Sequence, residues 1–479
     1  MTVLIVGAGP TGLTLAIELQ SRGVPHRIVE ASSGPFEGSR GKGIQPRTLE
    51  VLDDLGVLDR FLAAGADYPA LRIHLPGGDF DRRMDELREP TPDVPHPNVW
   101  MVPQWRTGQL LTERLTELGG HVEYGVAVTE LAGANVTLST GETVAARYVV
   151  GADGGRSTIR AALGVGFEGD TYETQRMLIA DVRLTGLPRD VWHVWPGDDG
   201  RSQRLGLCPL PGTDDWQLTA PHATSVEDIL AEVAPEVTLT HVGWTSQFRA
   251  NIRMVDRYRV GNVFLAGDAA HVHSPAGGQG LNTGVQDAYN LGWKLATGDD
   301  ALLDTYEAER LPVAAGVLGI STRLHNRHGG DVQQAMRRDD PELQQLTLGY
   351  RGGPLADERR RQPGTLQAGD RAPDAPCSPS RIFDALRGPE PVLLAFDCAP
   401  PPMPGVRVVR VVRPGMPTGP DTLVDTDGHA HRAYDIHHPT LFLVRPDGYV
   451  GCAADSTDLE SIEAYARRIS PAPQSVGGR

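Results

Sequence analysis

The chain has 479 residues and a mass of 51.5 kDa, room for two to four domains at about 100–200 residues each. Its 45 basic and 61 acidic residues leave a formal net charge of −16. That balance disfavours nonspecific binding to nucleic acid or anionic membrane, because both need a cationic surface. With 40% apolar residues the chain can bury a sizeable core, and its 56 glycines and 38 prolines stay below the roughly 25–30% that marks low complexity.

No charge-free run of about 18 apolar residues occurs, so no transmembrane helix is expected. Residues 1–15 are apolar but lack a basic lead, and a glycine-rich turn interrupts them. A signal peptide would have an unbroken apolar centre there, so the segment reads as a buried strand and the protein as cytoplasmic. The four cysteines, Cys208, Cys377, Cys398 and Cys452, lie far apart. They fit a reducing compartment and argue against a disulfide scaffold or a cysteine-based zinc site.

In chain order, residues 3–6 predict a short β-branched strand. A glycine-rich turn follows, then a helix marked by Leu13, Ala16, Ile17 and Leu19 that ends near Gly23, and a second strand over 27–30. Leucines at spacings of three and four predict helices over 46–60 and 107–118. Short strands are expected over 122–131 and 136–150. From 176 to 255, alternating residues and Gly/Pro/Asp turns predict a mostly antiparallel sheet. Trp192, Trp195, Trp216 and Trp244 fall in it, either to stack on an aromatic ligand or to fill the sheet's core. A strand over 263–266 leads into a helical stretch over 281–327. Residues 330–370 read as a polar connection. A third module starts near 366, with strands over 392–396 and 406–412, a hairpin over 441–450 and a helix over 457–468. No repeat of 20–50 residues is present.

The chemistry concentrates in three segments. Gly7, Gly9 and Gly12, with Pro10 and Thr11 between them, form Gly-x-Gly-x-x-Gly between a strand and a helix, and Glu30 ends the next strand. Gly7 allows the tight turn, Gly9 lets a pyrophosphate approach the backbone, and Gly12 packs helix to strand. The helix N-terminus offers N–H groups to phosphates, and the acid suits ribose hydroxyls. Asp153, in Gly-Ala-Asp-Gly-Gly-Arg-Ser, and Asp268, after Gly267, each follow a strand as well. Both carboxyl ends are places where ligands bind in open α/β sheets. A dinucleotide that needs all three segments must be extended, as FAD is. The third segment continues through Pro275, Gly278, Gly280, Leu281 and Asn282, a small-residue loop opening a helix, where a flat ring can lie on bare backbone near a positive dipole end.

These motifs, in this order and spacing, resemble those of the class A flavoprotein monooxygenases, which include para-hydroxybenzoate hydroxylase, phenol hydroxylase and the aromatic polyketide hydroxylases. The resemblance covers residues 1–330. It implies that Gly7, Gly9, Pro10, Thr11, Gly12 and Glu30 bind the ADP half of FAD, with Arg40 near the pyrophosphate and Gln104 against the flavin. It implies that Asp153 serves FAD and NAD(P)H, that Gly267 and Asp268 hold the ribityl chain, and that Pro275, Gly278, Gly280, Leu281 and Asn282 face the flavin's reactive side. Pro275, Gly278 and Asn282 are thus the catalytic candidates. Ser274 departs from the pattern, since many relatives have a second proline there. The tail resembles the thioredoxin-like domain of larger members, with Cys398 at the redox position and His438-Pro439-Thr440 like the cis-proline loop. One thiol cannot form a dithiol pair, so that domain is expected to be redox-inactive.

The expected architecture is therefore α/β: a Rossmann-like FAD-binding domain of glutathione-reductase type (1–70, 100–175 and 255–335), an inserted mostly antiparallel substrate domain (71–99 and 176–254), and a thioredoxin-like domain (366–479). The expected activity is an FAD-dependent monooxygenase, a monomer or homodimer, that consumes NAD(P)H and O2 and hydroxylates a phenolic or polyketide-like substrate through a flavin C4a-hydroperoxide. Only one βαβ glycine unit is found, so NAD(P)H should bind transiently. Antibiotic inactivation of the rifamycin or tetracycline type, and a flavin oxidase or dehydrogenase of the same fold, are the alternatives. His271-Val272-His273 lacks further ligands for a metal site, so no metal is expected, and no Gly-x-Ser-x-Gly elbow supports a hydrolase. His429, His431, His437 and His438 read mostly as solvated loop residues.

Overall fold

A computed structural model describes residues 2–197, 202–273, 278–327 and 341–470. Its first sheet has the spatial order Arg259–Val260, Val263–Leu265, Tyr148–Gly151, Val3–Val6, His26–Glu30, Val122–Tyr124. All neighbours are parallel except the edge hairpin 259–265. Every residue of Val3–Val6 and Tyr148–Gly151 is buried, as central strands covered on both faces must be. Helix Pro10–Ser21 packs on both Gly280–Thr297 and Gln104–Glu117.

Two expected helices are broken. The stretch 46–60 is Pro46–Asp54 and Leu58–Ala64, parted at Gly56, whose φ of +73° ends a right-handed turn. The stretch 281–327 is Gly280–Thr297 and Asp300–Arg327, parted at Gly298 with φ +65°. No described helix is long and apolar enough to cross a membrane.

The second sheet runs His271–Val272, Thr238–Val255, Phe167–Thr185, Trp216–Pro221, Gln203–Pro209, Val191–Pro196, Ala70–Ile73, Phe80–Arg82. It is antiparallel apart from the pairing of Val191–Pro196 with Ala70–Ile73. Alternation divides its faces. Leu178, Ala180, Val182, Leu205, Leu207, Trp216 and Leu218 form a core with Ile229 and Leu230 of helix Val226–Val233. Gln217, one residue out of phase, turns instead to residues 39–42 of the first layer. Trp195 and Trp216 thus belong to the core, while Trp192 and Trp244 are half-buried.

The third sheet runs Asp357–Glu358, Val450–Asp455, Thr440–Val444, Val392–Phe396, Arg407–Val412, Thr422–Val424. It starts before residue 366, because Asp357–Glu358 pairs with its edge. The cis peptide among the described residues is Ser378–Pro379, not His438–Pro439. His431 is not solvated: it is 4% exposed, and its ring nitrogens lie 2.6 Å from Asp425 and 3.1 Å from Asp397.

This sheet docks on the first layer through Trp293 and Leu302, which share a core with Leu393, Leu441, Leu443 and Ile462. Beneath them lies a fully buried charge network. Glu309 meets Lys294 at 2.7 Å and Arg445 at 2.6 Å, and Arg445 meets Asp447 at 2.5 Å. Burial alone would raise the Glu309 carboxyl, but Arg445 and Lys294 outweigh it and hold it well below the usual carboxylate range. Glu309→Ala leaves the buried Lys294 without its acidic partner and Arg445 with Asp447 alone, and should cost about 3–5 kcal/mol in denaturant unfolding. In the wild-type chain this stabilisation should be present above about pH 4.3 and be lost as pH falls toward the depressed folded value. An unchanged midpoint for the variant would remove the network from the account.

Candidate functional site

The parallel register assembles the site. Val6 lies opposite Gly151, and Gly151 opposite Leu265. The turns after these strands, at Gly7, Ala152 and Ala266, therefore open at one edge of the sheet, where strand carboxyl ends leave a crevice.

At the first corner the three glycines have different surroundings. Gly7 has φ +104°, and a Cβ there would stand 2.4 Å from the Ala152 carbonyl oxygen. A Cβ on Gly12 would stand 2.0 Å from the Gly7 carbonyl oxygen. Around Gly9 nothing lies within 4 Å of that position. Gly9 is also the N-cap of Pro10–Ser21, and no side chain caps that helix. Glu30 accepts the Ala8 N–H at 2.8 Å and the Ser32 N–H at 2.9 Å. Thr11 is the meeting point with the third corner: Cβ atoms on Gly267 and Gly284 would come within 2.5 and 2.4 Å of its Oγ1.

Asp153 spends its carboxylate on local structure. It accepts from Ser157 Oγ at 2.5 Å, the Thr158 N–H at 2.7 Å and the Ile159 N–H at 3.2 Å, at the start of helix Thr158–Leu163. Arg160 on that helix donates to the carbonyls of Gly155 at 2.7 Å and Ala269 at 2.9 Å, so it ties the second corner to the third. The sequence carries no signal that separates Arg160 from a surface arginine.

Asp268 lies on the Gly267–Ala269 turn and is open to solvent. Its position deep in the protein still raises its carboxyl, against the pull of His271 and Arg40. Its Oδ1 approaches within 3.8 Å of a Cβ position on Gly280, the first residue of helix Gly280–Thr297. Gly278, at φ +62°, has open space around it. Pro275, with residues 274–277, lies outside the described residues.

The helix head is tied to the segment after Arg40. Asn282 is fully buried; its Oδ1 accepts the Gln45 N–H at 2.8 Å, and its Nδ2 donates to the Gly43 and Gly278 carbonyls, each at 2.9 Å. Gln104 accepts the Gly41 N–H at 2.8 Å, and Leu281 lies 3.6 Å from a Cβ position on Gly41. Arg40 is exposed, with its guanidinium 5.9 Å from the Phe36 ring and 5.8 Å from the Trp244 ring.

Sequence reasoning also passed over Lys42. Its ammonium is buried 4.0 Å over the Trp192 ring and donates to Gln217 Oε1 at 2.5 Å. Burial lowers its pKa, and burial raises nearby Asp181 to about 6. A cleft of about 630 Å³ lies between residues 35–37 and helix Gln104–Glu117, lined by Phe36, Trp105 and Glu113 among others. Among the described residues no group of three or more His, Cys, Asp or Glu is placed to hold a metal.

Such a three-cornered crevice defines a dinucleotide-binding α/β protein, and comparison with known proteins narrows the class. Residues 1–321 match the FAD_binding_3 family, described as FAD binding domain. A flavin-dependent monooxygenase of Mycobacteroides abscessus is 45% identical, over 95% of this chain and 98% of that protein. A rifampicin monooxygenase of Streptomyces venezuelae is 40% identical, over 66% of this chain and 69% of that one. The solved structure of the anhydrotetracycline hydroxylase OxyS from Streptomyces rimosus aligns with a TM-score of 0.75 at 32% identity, over 98% and 100% of the two chains. The chain belongs to the FAD_binding_3 family, the class A aromatic hydroxylases.

The glycine surroundings separate packing from binding. Gly12→Ala should destabilise the fold by at least about 1–3 kcal/mol, the usual cost of overpacking. Gly9→Ala should unfold like the wild type and lose affinity for FAD, read by flavin fluorescence on titration. Equal losses of stability in both variants would contradict the distinction.

Proposed function

We propose that the chain is an FAD-dependent monooxygenase that consumes NAD(P)H and O2 and places one oxygen atom on an aromatic, phenolic or polyketide-like substrate. The observation that carries this reading is the register that opens the turns at Gly7, Ala152 and Ala266 on one sheet edge. The residues fit FAD: the Gly9 face is open where its neighbouring glycines are closed, and Asp268 is exposed at depth.

Gly9 and the uncapped start of Pro10–Ser21 would take the pyrophosphate, because first-turn N–H groups and the helix dipole both favour anions. Glu30 would hold ribose hydroxyls. The Ala8 and Ser32 N–H bonds orient its carboxylate. Arg40 would reach the pyrophosphate, and Asp268 the ribityl hydroxyls. FAD, once bound, supplies hydride acceptance and oxygen activation. Gln104, Gly278, Gly280, Leu281 and Asn282 would hold the flavin ring. The start of helix Gly280–Thr297, which no side chain caps, would stabilise negative charge on it. Asp153 would fix the second corner through its bonds at the start of Thr158–Leu163, and its Oδ1, which accepts one of the three bonds, keeps capacity for a ligand hydroxyl. Packing of the second sheet over residues 39–42 would exclude water from the reacting face.

The third sheet would be a thioredoxin-like, redox-inactive module. Burial pushes the Cys398 thiol up to about 11, so little thiolate exists at neutral pH. Cys398→Ser should leave turnover unchanged; a large loss would give the module a redox role.

Asp268→Ala should purify colourless or lose FAD on dialysis, whereas a fully loaded variant would contradict the ribityl assignment. The activity is tested by NAD(P)H oxidation over phenols, aromatic polyketides and a rifamycin, with product masses. Substrate-dependent consumption with a gain of one oxygen supports the proposal. A rifamycin as the preferred substrate would select antibiotic inactivation, and consumption that yields only hydrogen peroxide across the panel would overturn hydroxylation.

A further inference from the structure

The loop that opens helix Gly280–Thr297 has little packing of its own. Gly278 stands at φ +62° in open space, and a Cβ on Gly280 would find its nearest neighbours at 3.6 and 3.8 Å, no closer than ordinary contact. Side chains that reach into the protein must hold such a loop in place. Asn282 is one, tied to residues 43–45. Gln279, the residue before the helix and 1% exposed, is another.

Gln279 reaches into the stretch that reads in the sequence as a polar connection. There Pro341–Gln344 forms a short 3-10 turn, and its Leu343 packs, buried, with Ile320 of helix Asp300–Arg327. Gln279 Nε2 donates to the Leu343 carbonyl at 3.1 Å. Gln279 Oε1 accepts from Gln345 Nε2 at 2.6 Å, and Gln345 Oε1 accepts from Gln286 Nε2, also at 2.6 Å. All three amides are buried, and Gln286 lies on helix Gly280–Thr297 itself.

The polarity of this relay is fixed at one end. A carbonyl oxygen only accepts, so Gln279 must turn Nε2 to Leu343 and Oε1 to Gln345. Gln345 must then turn Nε2 to Gln279 and Oε1 to Gln286. Reversing one amide sets two donors or two acceptors face to face, where an unmet buried polar atom is costly.

Gln345 also holds an uncommon backbone. Its φ of +60° lies in the left-handed region, which disfavours a residue with a Cβ. Such a residue persists when its surroundings over-determine it, and such residues cluster at functional sites. Here the surroundings are the two amides and Thr283 Oγ1, 3.4 Å from Gln345 Nε2. Thr283 Oγ1 in turn donates to the Gln279 carbonyl at 3.0 Å, and the Thr283 N–H donates to the same oxygen at 2.9 Å. Side chain and backbone of Gln279 are therefore both held on the side of Gln345 and Thr283.

We propose that Gln345 is a positioning residue for the flavin. Its bond to Gln279 fixes the loop 278–280, so that the first N–H groups of helix Gly280–Thr297 stay aimed where negative charge develops on the reduced ring. It acts through Gln279 and not on the flavin itself. The inference rests on the FAD site proposed above. The oxidised ring lacks that charge, so a displaced loop weakens the reduced state more than the oxidised one.

The test measures the flavin's two-electron potential in FAD-loaded full-length chains, with denaturant unfolding in parallel. Gln345→Met keeps the side chain's length and the left-handed backbone but donates nothing. Gln345→Gly donates nothing either, and removes the conflict with φ. Both should retain FAD and lose about tenfold in the preference for reduced over oxidised flavin, a fall of about 30 mV for two electrons. Gln279→Met should show the same fall. Gln279→Met/Gln345→Met should show no more than Gln279→Met alone, because the two residues act as one. Either Gln345 variant is sufficient if the other fails to fold. A loaded Gln345 variant at the wild-type potential would overturn the inference, even with a lowered unfolding midpoint, and so would falls that add in the double variant. A wild type that holds no FAD would instead bring down the proposed function, and this inference with it.

Discussion

Close approach of backbone around Thr11 is the constraint on which the rest depends. Helix Pro10–Ser21, the turn Gly267–Ala269 and helix Gly280–Thr297 meet there with no room for a Cβ on Gly267 or Gly284. One strand away, Gly7 and Gly12 close on Ala152 and on each other. Segments separated by more than a hundred residues are thereby held at one sheet edge. Their helix starts and Asp268 converge because neighbouring side chains have been removed from between them. Gly9 is the exception in this packing, and its open face is what makes the corner a binding place rather than only a joint.

Electrostatics are arranged in two layers behind that edge. Close to the crevice, the pair His271 and His273 is wired to Asp287 and Arg310. Further back, Glu309 and Asp447 together neutralise Lys294 and Arg445 and clamp the third sheet against helix Gly280–Thr297. The same helix thus carries the cleft at its start and the anchor of the C-terminal sheet nearer its end. Charge buried this deeply is retained only where each group has a partner, so the clamp also defines the position of the helix start.

Much of this was legible in the sequence, for a physical reason. The glycine turn, Asp153 and Asp268 are local patterns whose geometry follows from glycine's freedom and from the strand–turn–helix context. Periodicity found the helices but ran through Gly56 and Gly298, where one left-handed residue ends a turn without interrupting the apolar spacing. The pairing of the long strands Phe167–Thr185 and Thr238–Val255 is a tertiary fact that no local pattern states. Lys42 and Arg160 were passed over because an isolated basic residue reads as surface until its neighbours are known. His271 and His273 were weighed as a metal pair and as part of the flavin loop, with the loop preferred. Their bond to each other and the one to Asp287 could not be read from spacing alone, since Asp287 lies a full helical segment away. Asp153, expected at the ligand, also accepts three bonds at the start of helix Thr158–Leu163, a local role that the motif alone does not state.

The central claim is that three distant segments form one site for one molecule of FAD. Hydrogen–deuterium exchange on the FAD-depleted chain, with and without added FAD, tests it most directly. The account predicts concerted protection of residues 7–13, 152–160, 266–273 and 278–283, with the adjoining 39–45, at a single, shared FAD dependence. Protection confined to one of these segments, or none at all at saturating FAD, would contradict it.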